Sequence, residues 1–426
     1  MSPDGLARAT GRSTSGVQVE RERHTRAPGR LSCRAMSLVV LPVTSARDLR
    51  RFVDVPWQVF DAQRHPQWVP PLRIALRDAL DRRHPFWRAA DRELFLAVRD
   101  GRVVGRVAAI ENRAHNAFHE DRLGFFGFFE AADDPEVVAA LLDAAGAWLA
   151  ARGLTAMQGP MNPSTNYECG LLVDGFEHHP TFMTGWNPPY YGAHVERAGM
   201  APVKDLLGWW FSRETAAGEF RLPRAYEAHA ARAREQTRLT FRDVEPKHLE
   251  REIALCWDVY NAAWEPNWGF VPMTREEFAH LAKDLKMLLD PRFAFVAEID
   301  GRPAGFSLAV PDYHVLFKRI GTGRLLPTGI FTLLTGKRSL HTLRVMALGV
   351  RREHRTRGIF ALFTSEIVRR GLAAGITGAE ASWVLEDNGL MNRPLAAMGA
   401  TPYRRWRLYE RAIGGVAPAG AASGVG

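Results

Sequence analysis

The residues best placed to do chemistry lie between Arg344 and Gly371, RVMALGVRREHRTRGIFALFTSEIVRRG. Arg355, Arg357 and Gly358 stand where an apolar stretch ends and a helical pattern begins. A helix start has unpaired backbone N–H groups and partial positive charge, so it binds phosphate. Glycine lets the ligand approach the backbone, and the arginines add charge. A second polar concentration spans 158–191. It holds Asn162, Asn166, Glu168, His178, His179, Asn187, Tyr190 and Tyr191, with little helical period. Long irregular segments in compact domains are functional or disordered, and the aromatic content here argues for order. Its carboxylate, imidazole and phenol groups can hold or deprotonate a bound molecule.

The anion-binding bend needs a strand before it and a helix behind it. Arg344–Val350 is apolar and β-branched enough for a buried strand. Ile359, Leu362, Phe363, Ile367 and Val368 recur at helical spacing. The wider chain repeats this plan. Trp57-Gln-Val-Phe60 with Pro66 and Trp68 returns as Trp257-Asp-Val-Tyr260 with Pro266 and Trp268, 200 residues on. Phe95 to Gly105 returns as Phe295 to Gly305 at the same offset, each with an Asp-Gly turn that predicts a hairpin. A duplicated domain follows. Leu123-Gly124 matching Leu348-Gly349 implies about 25 extra residues in the second copy, within Pro311–Leu340. The first copy's extra length falls within Tyr167–Pro189, because Gly199 and Gly399 are again 200 apart.

The expected division is 1–35 as a disordered Arg-rich extension or as sequence upstream of a start at Met36, then 36–212, 213–411 and a disordered tail 412–426. The 426 residues are 46% hydrophobic, enough for two full cores, with a net charge of +9. That charge suits an anionic ligand or an anionic membrane surface. Three scattered cysteines form neither a disulfide framework nor a metal pattern, so a cytoplasmic setting and no metal are expected. No apolar run is long enough for a membrane span.

The strand, Arg355-x-x-Gly358 and helix resemble the pyrophosphate-binding segment of the Gcn5-related N-acetyltransferase (GNAT) superfamily. Phe360 departs from it, since the family prefers Gly or Ala there. The resemblance covers about Leu38 to Arg411. It implies an α/β fold of two tandem acyl-CoA N-acyltransferase domains, each a mixed twisted sheet flanked by helices. In the first copy Asp133, Asp134 and Glu136 follow the central strand and repel pyrophosphate. The cofactor therefore belongs to the second copy, and the first is a degenerate, acceptor-binding partner. The resemblance further implies that Leu348, Val350, Arg355, Arg357, Gly358 and Asn388 bind the acyl-CoA, with backbone N–H groups near Leu348–Val350 meeting the oxyanion. Asn388 stands where the family starts its next helix, but Leu395 replaces the expected tyrosine acid. Glu380 or Glu168 is expected to deprotonate the amine, with Tyr190 and His178 as further catalytic candidates. Asn162, Asn166, Asn187, Tyr191 and Trp383 are expected to bind substrate.

The insertion Pro311–Leu340 alternates apolar clusters with Lys318, Arg319, Arg324, Lys337 and Arg338. It reads as an interfacial element or a lid over a lipid-chain channel, or else as a satellite core. Gly170–Phe176, Asn187–Tyr191, Pro327–Ile330 and Ser382–Asn388 together resemble the ceramide-forming group of bacterial tandem acyltransferases. That resemblance implies transfer of a long acyl chain from acyl-CoA, or acyl carrier protein, to a sphingoid-base amine, with no nucleic acid involved. The alternatives are a small-molecule N-acetyltransferase, a Fem-type aminoacyl transferase, or a non-catalytic lipid- or nucleotide-binding protein.

Overall fold

The structure, a computed structural model, describes residues 37–212, 221–265 and 267–414. The extension 1–35, Met36, Pro266 and the tail from 415 lie outside them. The first copy contributes β1 (Leu38–Pro42), β2 (Ala90–Arg99), β3 (Arg102–Asn112), β4 (Leu123–Ala131), β5 (Ala156–Gly159), β6 (Met161–Asn162), β7 (Glu168–Cys169), β8 (Leu171–Asp174) and β9 (Ala201–Ser212). The second contributes β10 (Leu239–Asp243), β11 (Ala294–Ile299), β12 (Arg302–Pro311), β13 (Thr342–Val350), β14 (Gly378–Leu385) and β15 (Thr401–Ala412).

The repeat shows in the backbone. Asp100 and Gly101 have φ of 50° and 78°, and Asp300 and Gly301 have 50° and 71°. Positive φ at both central residues matches the right-handed twist of a hairpin, and Asp and Gly reach it most easily. Both hairpins also bulge at equivalent places, between Ala97 and Val98 and between Ala297 and Glu298.

One large mixed sheet runs β1-β2-β3-β4-β5-β15-β9-β14-β13-β12-β11-β10, with β8 alongside β15. The copies exchange their last strands. β15 completes the first copy by pairing with β5, and β9 completes the second by pairing with β14. The two exchanged strands pair with each other at the centre. The sheet therefore continues across the expected boundary at 212. Helix Pro135–Ala150 covers the first half's sheet, and helix Ile359–Ala373 covers the second's.

The repeat arithmetic needs one correction. β4 and β13 start at Leu123 and Thr342 and end at Ala131 and Val350, an offset of 219 at both ends. The extra length ahead of the second central strand is thus 19 residues (219 less 200), not about 25. The following helices begin at Pro135 and Ile359, an offset of 224, so five more residues lie in the bend itself. The Leu-Gly match aligned the start of one strand with the end of the other, because both are short apolar runs.

The insertion folds as two short helices, His314–Ile320 and Gly329–Gly336. Tyr313, Leu316, Phe317, Leu333 and Leu340 pack inward against Val69 and Phe182. Leu326 and Phe331 face out, 74% and 65% exposed. Among the described residues no helix is long and apolar enough to cross a membrane.

Candidate functional site

β13 and β14 run parallel and pair only from Thr342–Val345 against Gly378–Ala381. Beyond that they part, and a cavity of about 640 Å³ opens between the sheet and the helices Ile359–Ala373 and Gly389–Ala397. Leu348, Val350, Arg355, Phe360 and Asn388 line its outer part. Leu343, Ile367, Gly371, Ile376 and Ala379 line an apolar inner end. The strands separate at a bulge, because Leu308 pairs with Ala347 and Ala309 with Val345, leaving Met346 as the extra residue. Arg351 donates its N–H to Ala304 O, so strand alternation turns Leu348 and Val350 toward the gap. Arg355 Nε meets Val350 O at 3.2 Å on that side.

The first copy closes the equivalent gap with its own chain. β4 and β5 pair only at Leu123–Phe125 and Ala156–Gln158. A Cβ on Gly127 would stand 1.6 Å from Met161 O, so the backbone of β6 crosses there. Phe128 N–H donates to Asn162 Oδ1, and Ala131 N–H donates to the Tyr191 oxygen at 2.8 Å. Tyr190 donates to Ala131 O at 2.9 Å. Asn162, Tyr190 and Tyr191 thus satisfy backbone groups of the closed gap rather than facing the open one. Buried polar groups require such partners.

On the opposite face of the β13–β14 gap lies a second cavity of about 140 Å³. Asn166, Cys169, Met183, Tyr260, Arg344 and Met346 are among its walls, and Ser382, Trp383 and Trp264 line both cavities. Asn166 donates to Val271 O at 3.0 Å and accepts from Tyr260 at 2.8 Å, tying the first copy's loop to the second copy. Trp383 Nε1–H is buried and has no hydrogen-bond partner among the described residues. The Trp383 side chain itself lines both cavities.

A buried polar cluster supports this junction. Glu380 is fully buried and accepts from Ser382, Tyr403 and Arg404. Burial pushes its carboxyl up, but Arg404, Ser382, Tyr403 and Arg344 outweigh it and hold the pKa below the usual range. Arg344 donates to Ser382 Oγ and O and to the carbonyls of Phe182 and Met183. Burial pushes the Arg344 guanidinium down to about 10 despite Glu380.

The other expected residues are dispersed. Glu168 accepts no hydrogen bond from a described residue, and burial raises its carboxyl against the pull of Arg344 and Arg106. Its neighbours Tyr167 and Cys169 are walls of the smaller cavity, and Glu168 is not among them. Asn187 is consumed by Leu172 and Pro188. His178 is exposed beside Glu177, 3.2 Å away, with its ring on Tyr403. Arg355 ties Val350 O to Ala263 O, while Arg352 and Arg357 are exposed at the bend. Gly358 caps the helix in the left-handed region, φ 70°. Asn388 caps the next helix through Met391 N.

Arg344, Trp264 and Met346 were missed by sequence reasoning. The visible signal was a single arginine between Leu343 and Val345 in an otherwise apolar strand, which demands a buried partner.

Asp78, His84 and His280 also converge. Here His84 Nδ1 accepts Phe86 N–H at 3.2 Å, leaving its ring proton on Nε2 facing Asp78. His280 Nε2 meets Asp78 at 2.8 Å. The His280–Asp78 hydrogen bond pins the copies together, with His84 Nε2 4.0 Å from the same carboxylate.

Asp312, beside the cluster, accepts from Phe182 N and His314 N, and burial lifts its carboxyl to about 7. A carboxyl raised on folding contributes stability below its unfolded pKa that is lost as pH rises through about 7. Asp312→Asn is therefore expected to raise the thermal midpoint at pH 8 and to leave it unchanged near pH 4. A three-unit shift bounds the gain at about 4 kcal/mol. An equal gain at both pH values would contradict the assignment.

No family model matches the chain. Protein YghO of Escherichia coli (strain K12) is 33% identical over 377 residues, covering 86% of this chain and 93% of its own. Bacterial ceramide synthase of Caulobacter vibrioides (strain NA1000 / CB15N) is 35% identical over 384 residues, covering 88% and 98%. Among solved structures, a tandem GNAT protein from the clavulanic acid biosynthesis pathway superposes with a TM-score of 0.51 at 15% identity. It covers 88% of this chain and 98% of its own, and it shows the shared fold.

Proposed function

The chain belongs to the family that includes YghO and bacterial ceramide synthase, and on that premise we propose that it moves a long-chain acyl group from an acyl thioester to a sphingoid-base amine. One observation carries the reading: the β13–β14 gap opens onto about 640 Å³ of mainly apolar space. Cavities of this size enclose most of a sizeable ligand. An acetyl group would leave the inner end unfilled.

The donor's pantetheine arm enters beside Val350, Arg355 and Asn388, with exposed Arg352 and Arg357 set for phosphates. Coenzyme A and an acyl carrier protein present the same arm, and both suit this mouth. The acceptor amine reaches the thioester from the smaller cavity. Desolvation there lowers the amine's preference for its charged form. Ser382 Oγ takes the amine proton as its own hydroxyl proton passes to the Glu380 carboxylate, to which it already donates. Glu168, whose carboxyl is raised, is the second choice of base; it lines neither cavity, so it would act through a water.

As nitrogen bonds to the carbonyl carbon, negative charge grows on the carbonyl oxygen. The N–H groups of Leu348 and Val350 and the Trp383 Nε1–H are the donors available to it. The bond to sulfur then breaks. Leu395 occupies the family's tyrosine position, so the thiolate takes its proton from water at the open mouth. Much of the acceleration comes from holding amine and thioester together. The lipid acceptor implies work at a membrane surface, on the cytoplasmic side.

Trp383→Phe removes the indole N–H and keeps most of the ring. It is expected to lower kcat about tenfold, the worth of one hydrogen bond. Unchanged kcat would remove Trp383 from the reaction. Lipid mass spectrometry of cells with and without the gene tests the function itself. Amide-linked sphingolipids should appear or vanish with the gene, and an unchanged lipidome would refute the ceramide reading.

A further inference from the structure

The insertion that packs its inner side on the first copy's loop presents a different outer side. Four of the twelve large apolar side chains exposed among the described residues lie within 311–340: Val315, Leu326, Phe331 and Leu334. Thirty residues thus carry a third of them, too many for random scatter. Two more adjoin. Met287, 62% exposed, offers its carbonyl to Lys337 at 2.9 Å. Ile74, 63% exposed, follows Arg73, whose N–H donates to Gly323 O. Contiguous exposed apolar surface marks an interaction site.

The charge within the insertion is one-sided, although Asp290 lies near enough to Lys337 to feel its charge. Residues 311–340 hold five Lys or Arg and a single acid, Asp312, which is buried. Arg319, Arg324, Lys337 and Arg338 are all exposed. Exposed leucine and phenylalanine among cations is the composition of a surface that enters the headgroup region of an anionic bilayer. A second copy of the chain would bring like charges together, so self-association is disfavoured.

We infer that Leu326, Phe331 and Leu334, ringed by Arg324 and Lys337, dock the protein on an anionic lipid bilayer. The same insertion packs inward in one cluster with Phe182, Met183 and Met346. Met183 and Met346 are walls of the smaller cavity. Docking would therefore place the bilayer two side-chain layers from the acceptor cavity, on the route a lipid amine must take. The inference rests on the acyl-transfer reading only for its purpose. Vesicle binding is measured without turnover, so failure to dock and failure to transfer are separate results.

Co-sedimentation of the full chain with phosphatidylcholine vesicles, and with vesicles also containing phosphatidylglycerol, tests it. Binding is expected to the anionic vesicles only, and to weaken as salt screens it. Arg324→Gln and Lys337→Gln should each weaken it about fivefold. Leu326→Glu with Phe331→Glu should abolish it, leaving transfer to detergent-dispersed substrates intact. Both replaced side chains are exposed, so the thermal midpoint should not move. Should the double variant misfold, the two glutamine variants still decide. Absent vesicle binding, equal binding to both vesicle types, or wild-type binding by these variants would overturn the inference. So would a wild-type dimer that dissociates in Phe331→Glu, which would make this face an interface between copies.

Discussion

Glu380→Gln is expected to destabilise the fold by about 3 to 5 kcal/mol, the cost of leaving a buried charge without its partner. Arg404 is 1% exposed, and its Nε and Nη1 have no hydrogen-bond partner among the described residues. Glu380 is the carboxylate it contacts. Glutamine keeps one acceptor oxygen, sets an NH2 donor against donors on the other side, and removes the compensating charge. Adding Arg404→Met should recover much of the loss, because replacing both partners can be nearly neutral. The pH dependence has a definite sign. Glu380's folded pKa is depressed, so its contribution is present above the unfolded carboxylate value of about 4.3 and is lost as pH falls through the folded value. The variant's deficit should therefore shrink in acid. Urea unfolding at pH 7 and at pH 3 reads both effects. A variant that unfolds with the wild type at pH 7 would show that the ion pair does not hold the junction. Ser382→Ala separates the roles: it should cost stability only about 1 kcal/mol while slowing transfer about a hundredfold if its hydroxyl carries the proton.

Gly371→Leu is expected to cut kcat/KM for a long-chain donor about a hundredfold and to spare a short-chain one. Gly371 lines the inner end of the large cavity, and a Cβ there would meet Ile376 Cβ at 3.6 Å, an ordinary contact. Gly371 lies in the last turn of its helix, so replacing it gains less than the ~1 kcal/mol of a helix interior. A thermal midpoint measured beside the assay separates lost activity from lost folding. A leucine side chain would occupy the space the chain's far end needs. Assays across a series of acyl-CoA lengths would show the optimum moving shorter. If long and short donors fell together, or neither fell, the acyl chain does not lie under this helix.

The parts legible in the sequence were those whose signals are local. The Asp-Gly turns require positive φ at two adjacent positions, and the glycine at the bend marks a helix entrance. The exchange of β9 and β15 was not legible. Those strands sit 200 residues apart with similar patterns, and nothing in either says whose sheet it joins. The 158–191 loop was legible as ordered, but the partners of its side chains were not. Asn162, Tyr190 and Tyr191 looked like ligands because polar aromatic loops so often are. Here their polar atoms meet backbone groups that β5 leaves unpaired when it diverges from β4. Glu380 was singled out in the sequence as a carboxylate on its strand, and the structure buries it fully. Its partner Arg404 was not singled out, because the contact spans 24 residues and two strands.

The most direct test is to incubate the purified chain with a long-chain acyl-CoA and a sphingoid base, and to follow amide product and free thiol together. The account predicts one amide formed per thiol released, a much slower reaction with acetyl-CoA, and no product from an O-only acceptor lacking the amine. Thiol release without amide, or acetyl transfer as fast as long-chain transfer, would contradict it.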